Sequence, residues 1–347
     1  MNNYRYFLTS ILALLISLSG CEKTVDEREA DELLRLEAYI SIHYPNAIKT
    51  ASGLYYIIND EGESVNGLKP GTDDYVIINY TNMDLDGDVF ETNNDSIAKK
   101  FDIYSSATRY IPAFRKLSNK INPLVAGLSE GLGLINEGGK ARLILPSRLA
   151  YGGNKYKTLP PFSSVIIDVE LLRVVKDPNA YEQELIDNYL DEFYPEAILD
   201  SIRIDSMYFL AITEKIPADD HHTSNSLYTQ PTDQEIKDND IVSVFYQGRF
   251  LDNFLFDTNI QSVAEEDGTY DANKSYVPIK VTVGGSGYID GFSVALRHLT
   301  TYTYAKVIIP SYLAYKENGS STIPPFSPLI FELDVLGKKS TGTEAED

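Results

Sequence analysis

Two stretches of alternating apolar and polar positions, far apart in the chain, spell the same hairpin. In the later one, Val242, Val244 and Tyr246 fall on one face of a strand. Asp252-Asn253 makes the turn, Phe254 and Phe256 return on a second strand, and Asp257 follows at once. In the earlier one, Val76, Ile78 and Tyr80 alternate, Asp86-Gly87 is the turn, and Phe90-Glu91 closes the return strand. The tyrosine precedes the phenylalanine by ten positions in both copies. An inward hydroxyl, an inward phenyl ring and an adjacent carboxylate make a mostly apolar pocket with one donor and one acceptor. That composition suits a small apolar ligand with a polar handle.

The pattern around the hairpins repeats as well. Tyr181, Leu185, Ile186, Tyr189, Leu190 and Phe193 trace one helical face ending at Tyr194-Pro195; Leu33, Leu36, Tyr39 and Ile40 trace another ending at Tyr44-Pro45. Short strand signals follow at 53–58 and 207–212, and a helix is predicted from Leu128 to Leu134, ended by Gly138-Gly139. Gly127 to Tyr151 and Gly291 to Tyr315 are both 24 positions, and each tyrosine precedes Pro160 or Pro324 by nine. Pro161 to Leu172 and Pro325 to Leu336 are both eleven. Chance does not reproduce such intervals in order, so the chain is a tandem repeat, broken near the polar turn at 176–179. Val165, Ile167, Val169 and Leu171 alternate with Ile166, Asp168 and Glu170, as a half-buried closing strand should. Runs of strands around one short helix predict an α+β fold, in two tandem domains each preceded by an N-terminal helix.

Length agrees, since 347 residues exceed what one core usually serves. The expected division is 50–175 for the first domain and 178–338 for the second with its helix, after a tether and helix at 21–49. A disordered tail is expected at 339–347. A net charge of −21, with no basic run, excludes nucleic acid as a partner, because a phosphate backbone would be repelled. At the N-terminus a basic residue precedes an apolar run from Phe7 to Leu18, too short to span a bilayer, which predicts a signal peptide at 1–20. Leu18-Ser19-Gly20-Cys21 resembles the bacterial lipoprotein box, and Cys21 is the one cysteine of the chain. Lipidation there would anchor the protein in a membrane of the cell envelope, the outer membrane being the expected one.

The ordered set of motifs resembles the FKBP-type peptidyl-prolyl cis-trans isomerase family over most of residues 50–175 and 200–338. In the second repeat the resemblance rests on Tyr246, Phe256 and Asp257 of the hairpin and Tyr288-Ile289-Asp290-Gly291-Phe292 at the helix start. It continues through Leu313-Ala314-Tyr315, Ile323-Pro324-Pro325 and Phe331 on the closing strand. Ile279 and Val281 stand where the family places aromatic side chains on its pocket floor. In the first repeat the corresponding positions are Tyr80, Phe90, Glu91, Val125, Leu128, Tyr151, Leu159 and Ile167.

The resemblance implies that each of the two tandem α+β domains is a curved antiparallel sheet wrapped on a short helix. It also implies isomerisation of X-Pro bonds in proline-containing clients, with no cofactor and no metal. Tyr246, Phe256, Ile289, Phe292 and Phe331 would wall the prolyl ring, Tyr315 and the Ile289 backbone would hold carbonyls, and Asp257 would orient a polar neighbour. The second repeat is expected to be the more active. Glu91 and Leu128 replace the family's aspartate and tryptophan in the first, and 105–123 reads as an insertion ahead of its pocket helix. A non-catalytic peptide-binding module or holdase of the same fold is the alternative. Asp219-Asp220-His221-His222 lies in a polar stretch without flanking structure, and Gly284-Gly285-Ser286-Gly287 lacks the lysine of a phosphate loop, so neither is taken as a site.

Overall fold

The alternating segments build two separate antiparallel sheets. The computed structural model describes residues 24–63, 68–118, 124–195, 203–213 and 234–339; Cys21, the signal segment, 219–222 and most of the tail lie outside them. The first sheet has the order β1-β2-β6-β7-β3-β4, with β5 pairing β3. Its strands are β1 (Ile48–Lys49), β2 (Tyr55–Asp60), β3 (Tyr75–Met83), β4 (Val89–Thr92), β5 (Ala113–Lys116), β6 (Lys140–Leu145) and β7 (Val165–Val175). The second has the order β11-β10-β14-β13-β9-β8, with β12 pairing β10. It comprises β8 (Arg203–Ile204), β9 (Met207–Thr213), β10 (Ile241–Phe250), β11 (Leu255–Thr258), β12 (Ile279–Thr282), β13 (Tyr304–Ile309) and β14 (Leu329–Lys339). By density of contacts the chain divides into 1–67, 80–92 and 125–170 on one side and 68–79, 93–124 and 171–347 on the other.

Each sheet is covered on both faces, by helices of different kinds. On the inner face lies a short helix, α3 (Ala126–Leu132) in the first repeat and α6 (Asp290–Arg297) in the second. Each has glycine as its second residue for a steric reason. A Cβ on Gly127 would sit 2.4 Å from Leu145, and one on Gly291 2.4 Å from Ile309, so only glycine lets the helix start lie this close to the strand. α3 ends at Gly133, one turn before Gly138-Gly139, which belong to a turn leading into β6. Two further short helices, α2 (Asp95–Lys100) and α5 (Gln261–Glu266), follow the hairpins.

The outer face is covered by the helix that precedes each repeat. α1 (Val25–His43) begins with a reciprocal capping box between Thr24 and Glu27, and α4 (Pro178–Phe193) with Asp177 capping Asn179 and Ala180 ahead of a first-turn proline. Leu36 and Ile40 of α1 pack on Tyr55, Ile144 and Ile166. Ile186 and Leu190 of α4 pack on Tyr208, Ile308 and Ile330. This explains why Ile166, expected on the wetter face of the closing strand, is buried. Phe193, expected on the buried stripe of α4, is instead 56% exposed, with its ring against Tyr189.

The described part of the supposed insertion at 105–123, residues 105–118, follows the repeated plan. Ala113–Lys116 forms β5 on β3, as Ile279–Thr282 forms β12 on β10. Stacked Tyr104–Tyr110 and Tyr270–Tyr276 pairs precede the two strands, at 5.3 and 5.4 Å between centroids. Asn93 donates to the carbonyls of Ile78 and Ile111, as Asn259 donates to those of Val244 and Val277.

Candidate functional site

In the second repeat five elements converge on one cleft of about 490 Å³. β10 supplies Tyr246, β11 supplies Phe256 and Asp257, β12 supplies Ile279, the start of α6 supplies Ile289 and Phe292, and β14 supplies Phe331. A single-turn helix over Ser311–Leu313 delivers Tyr315 to the same cleft. The rings meet edge to face: Tyr246 on Phe292 at 5.8 Å, Phe256 on Phe331 at 5.7 Å and Phe292 on Phe331 at 4.9 Å. Gly248 stands behind this cluster. Phe331 and Asp257 flank it in the sheet, and a Cβ there would meet the Phe256 ring at 2.5 Å and Phe331 at 3.0 Å.

The Tyr246 hydroxyl donates to Asp257 Oδ2 at 2.5 Å, and Lys274 donates to the other carboxylate oxygen. Burial, then the bond to Asp257, pushes the Tyr246 hydroxyl far above the ordinary tyrosine range. Burial, then the Asp257 charge, raises Tyr315 as well. Both phenols therefore keep their protons at physiological pH and can act as donors.

Of the residues expected here, Tyr246, Phe256, Asp257, Ile279, Ile289, Phe292, Tyr315 and Phe331 line the cleft. Ile323 and Val281 are 3% and 1% exposed in the core behind it and are not among its lining residues. Val281 shares the inward face of β12 with Ile279, two positions away, and lies deeper in the core against which Ile279 packs. Gly287, Ala314 and Lys316, which the sequence pattern gives no role, also line the cleft, as do Tyr288 and Asp290. Tyr288 and Asp290 flank Ile289 in the motif, which was the available signal. At the rim Lys316 pairs with Asp290 at 3.3 Å.

The first repeat places its corresponding residues differently. Phe90 meets Tyr151 edge to face at 6.1 Å, and Tyr80 lies close enough to influence the titration of Tyr151. Leu128, Leu159 and Ile167 are buried, and Val125 is half-buried at the cap of α3. Between them comes a residue that sequence reasoning missed, Tyr156. Its ring stacks on Tyr151 at 3.9 Å and 10°, and meets Phe90 edge on at 6.2 Å. Its hydroxyl donates to Glu91 Oε1 at 3.0 Å, which Lys157 also reaches at 2.8 Å, while Asn82 donates to Oε2 at 2.9 Å. Counting from Tyr151 and Tyr315, the second repeat has Ser320 where the first has Tyr156. No group of three or more metal-ligating side chains occurs among the described residues.

Comparison with known proteins agrees with this duplicated arrangement. The FKBP-type peptidyl-prolyl cis-trans isomerase family matches residues 67–172 and again 232–336. The FKBP-type peptidyl-prolyl cis-trans isomerase FkpA of Escherichia coli (strain K12) is 37% identical over 134 residues, covering 38% of this chain and 42% of its own length. The probable FKBP-type peptidyl-prolyl cis-trans isomerase FkpA of Neisseria meningitidis serogroup B is 32% identical over 167 residues, 46% of this chain and 53% of its own length. The chain thus spans about half the length of these curated relatives. The crystal structure of FkpA from Escherichia coli aligns over 50% of this chain and 71% of that one, at 26% identity and a TM-score of 0.35.

Proposed function

Because the chain belongs to the FKBP-type peptidyl-prolyl cis-trans isomerase family, we propose that it isomerises X-Pro bonds of exported polypeptides in the cell envelope, chiefly through its second repeat. The observation that carries this reading is the cleft of four aromatic rings, Tyr246, Phe256, Phe292 and Phe331, open to solvent and bordered by Tyr315. An X-Pro bond turns over a barrier of about 18–20 kcal/mol because amide resonance must be broken. The planar amide is the more charge-separated form, so water favours it over the twisted one. Aromatic walls that strip water from the prolyl ring and fit the twisted form lower that barrier without a nucleophile or a base. In this scheme Tyr315 and the Ile289 N–H hold substrate carbonyls. Asp257 accepts the Tyr246 hydroxyl and so fixes its orientation.

The first repeat is the weaker isomerase or an idle one. Tyr156 stacked on Tyr151 supports this reading, because an aromatic ring of the protein itself lies against the side chain that would meet substrate. The lipoprotein box supports an anchor at Cys21, holding both repeats at a membrane where exported chains pass.

The test is exchange NMR on a proline-containing tetrapeptide with the full chain. Catalysed cis–trans exchange is expected in the parent and a large loss in Phe256→Ala. A parent no faster than the uncatalysed peptide, yet still binding it, would leave a peptide-holding module and remove the isomerase reading.

A further inference from the structure

Each repeat buries one acid of its preceding helix against the turn that carries its pocket tyrosine. In the second repeat Glu182 of α4 is 5% exposed. It accepts the Ser311 N–H on Oε1 at 2.5 Å and the Ser311 hydroxyl on Oε2 at 2.6 Å. The Ser311 carbonyl in turn accepts the N–H groups of Ala314 and Lys316, both at 2.8 Å, so the two bonds bracket Tyr315. In the first repeat Glu32 of α1 is 4% exposed and accepts the Ser147 N–H at 2.9 Å, together with the Ser147 and Ser164 hydroxyls. The Ser147 carbonyl accepts Ala150 and Gly152, at 2.9 and 2.8 Å, bracketing Tyr151.

We infer that Glu182 and Glu32 are positioning residues, through which each outer helix fixes the backbone under the pocket tyrosine of its own repeat. A buried carboxylate is costly unless its acceptors are filled, and a leucine would have extended the stripe at lower cost. Both helices instead keep an acid in step with two buried apolar residues, Glu32-Leu36-Ile40 and Glu182-Ile186-Leu190. The same serine, 164 positions apart, receives it each time. Burial pushes the Glu182 carboxyl up, while the two Ser311 bonds pull it back down. What the acid holds is the start of a single turn with no side-chain cap of its own. For catalysis this rests on the isomerase reading above; for the geometry it does not.

The test compares full-length parent with Glu182→Ala, Glu182→Gln and Ser311→Ala by hydrogen exchange and by peptide exchange NMR. Glutamine can still accept the Ser311 N–H and donate to its hydroxyl, so it should restore what alanine loses. In Glu182→Ala, amide exchange over 311–316 should quicken on the order of tenfold, while β14 stays protected, and kcat/KM should fall roughly fivefold. Ser311→Ala, which keeps the backbone bond, should lie between, and it carries the test if Glu182→Ala does not fold. Glu32→Ala should quicken exchange over 147–152 and leave 311–316 unchanged. Unchanged exchange over 311–316 in both Glu182→Ala and Ser311→Ala, or a rise spread evenly over the second sheet, would overturn the proposal. So would a glutamine variant as impaired as alanine. An inactive parent with these exchange differences intact would instead remove the isomerase reading alone.

Discussion

Tyr156 lies flat on Tyr151, ring centroids 3.9 Å apart, with its hydroxyl tied to Glu91. A substrate prolyl ring approaching Tyr151 would have to displace this stack and the bond to Glu91. Such a ring pair contributes about 0.5–1.5 kcal/mol, so Tyr156 is held over Tyr151 by a modest, removable contact. In a Phe256→Ala background, where the second pocket is disabled, Tyr156→Ser should therefore increase peptide binding or exchange catalysis several-fold. Chemical-shift perturbation and exchange NMR read both. If the double variant matches Phe256→Ala alone, the first repeat is limited by Leu128 and Glu91 rather than by Tyr156.

Gly248 makes a second case for shape deciding activity. A methyl there would press on Phe256 and Phe331 together. Gly248→Ala should cost about 1–3 kcal/mol in overpacking and lower kcat/KM more than thermal stability alone explains. Thermal melts beside activity check this, and a variant with parental kinetics would show that the two rings yield freely.

Much of this was legible before the structure, and the exceptions have physical causes. The two hairpins, the glycine-led helices and the closing strands announce themselves through period-two alternation and fixed intervals, and the folded chain places eight expected side chains around one cleft. Tyr156 escaped because loop residues carry no period; only its pairing with Ser320 marks it. Glu182 carries no apolar signal, although its place four residues before Ile186 puts it on the buried stripe. The stretch at 105–123 passed for an insertion because β5 is only four residues long and its partner strand is distant in sequence.

The pH profile follows from the raised phenols. An exposed tyrosine ionises near ~10, and Tyr246 and Tyr315 are both held above that value, by burial first and the Asp257 side chain second. Exchange rates should stay level from about pH 7 to about pH 10, because the donors remain protonated. The stability contributed by the raised values is fully present below the unfolded tyrosine pKa and is lost as pH climbs through the folded ones. A rate that halves at about pH 10 in the parent but not in Tyr315→Phe would show that Tyr315 ionises as if in water.

Anchoring is tested at Cys21, the chain's one cysteine. Cys21→Ser should release the mature protein from membranes into the soluble fraction when expressed in a bacterium with a lipoprotein pathway. Equal membrane partitioning of the two would remove the anchor.

The relative weights of wall and hydrogen bond can be separated within the second pocket. If desolvation dominates, removing an aromatic face must cost more than removing a donor. Phe256→Ala deletes a ring that meets both Phe331 and Phe250 and lets water into the cleft. A loss of roughly 10- to 100-fold in kcat/KM is expected, from about 1.5–3 kcal/mol of apolar burial withheld from the twisted amide. Tyr315→Phe keeps the ring and removes one neutral donor, about 0.5–1.5 kcal/mol, so the loss should be roughly 2- to 10-fold. The two measured side by side on one tetrapeptide rank the effects. A Tyr315→Phe loss larger than that of Phe256→Ala would mean that carbonyl capture, rather than the dry aromatic wall, lowers the barrier.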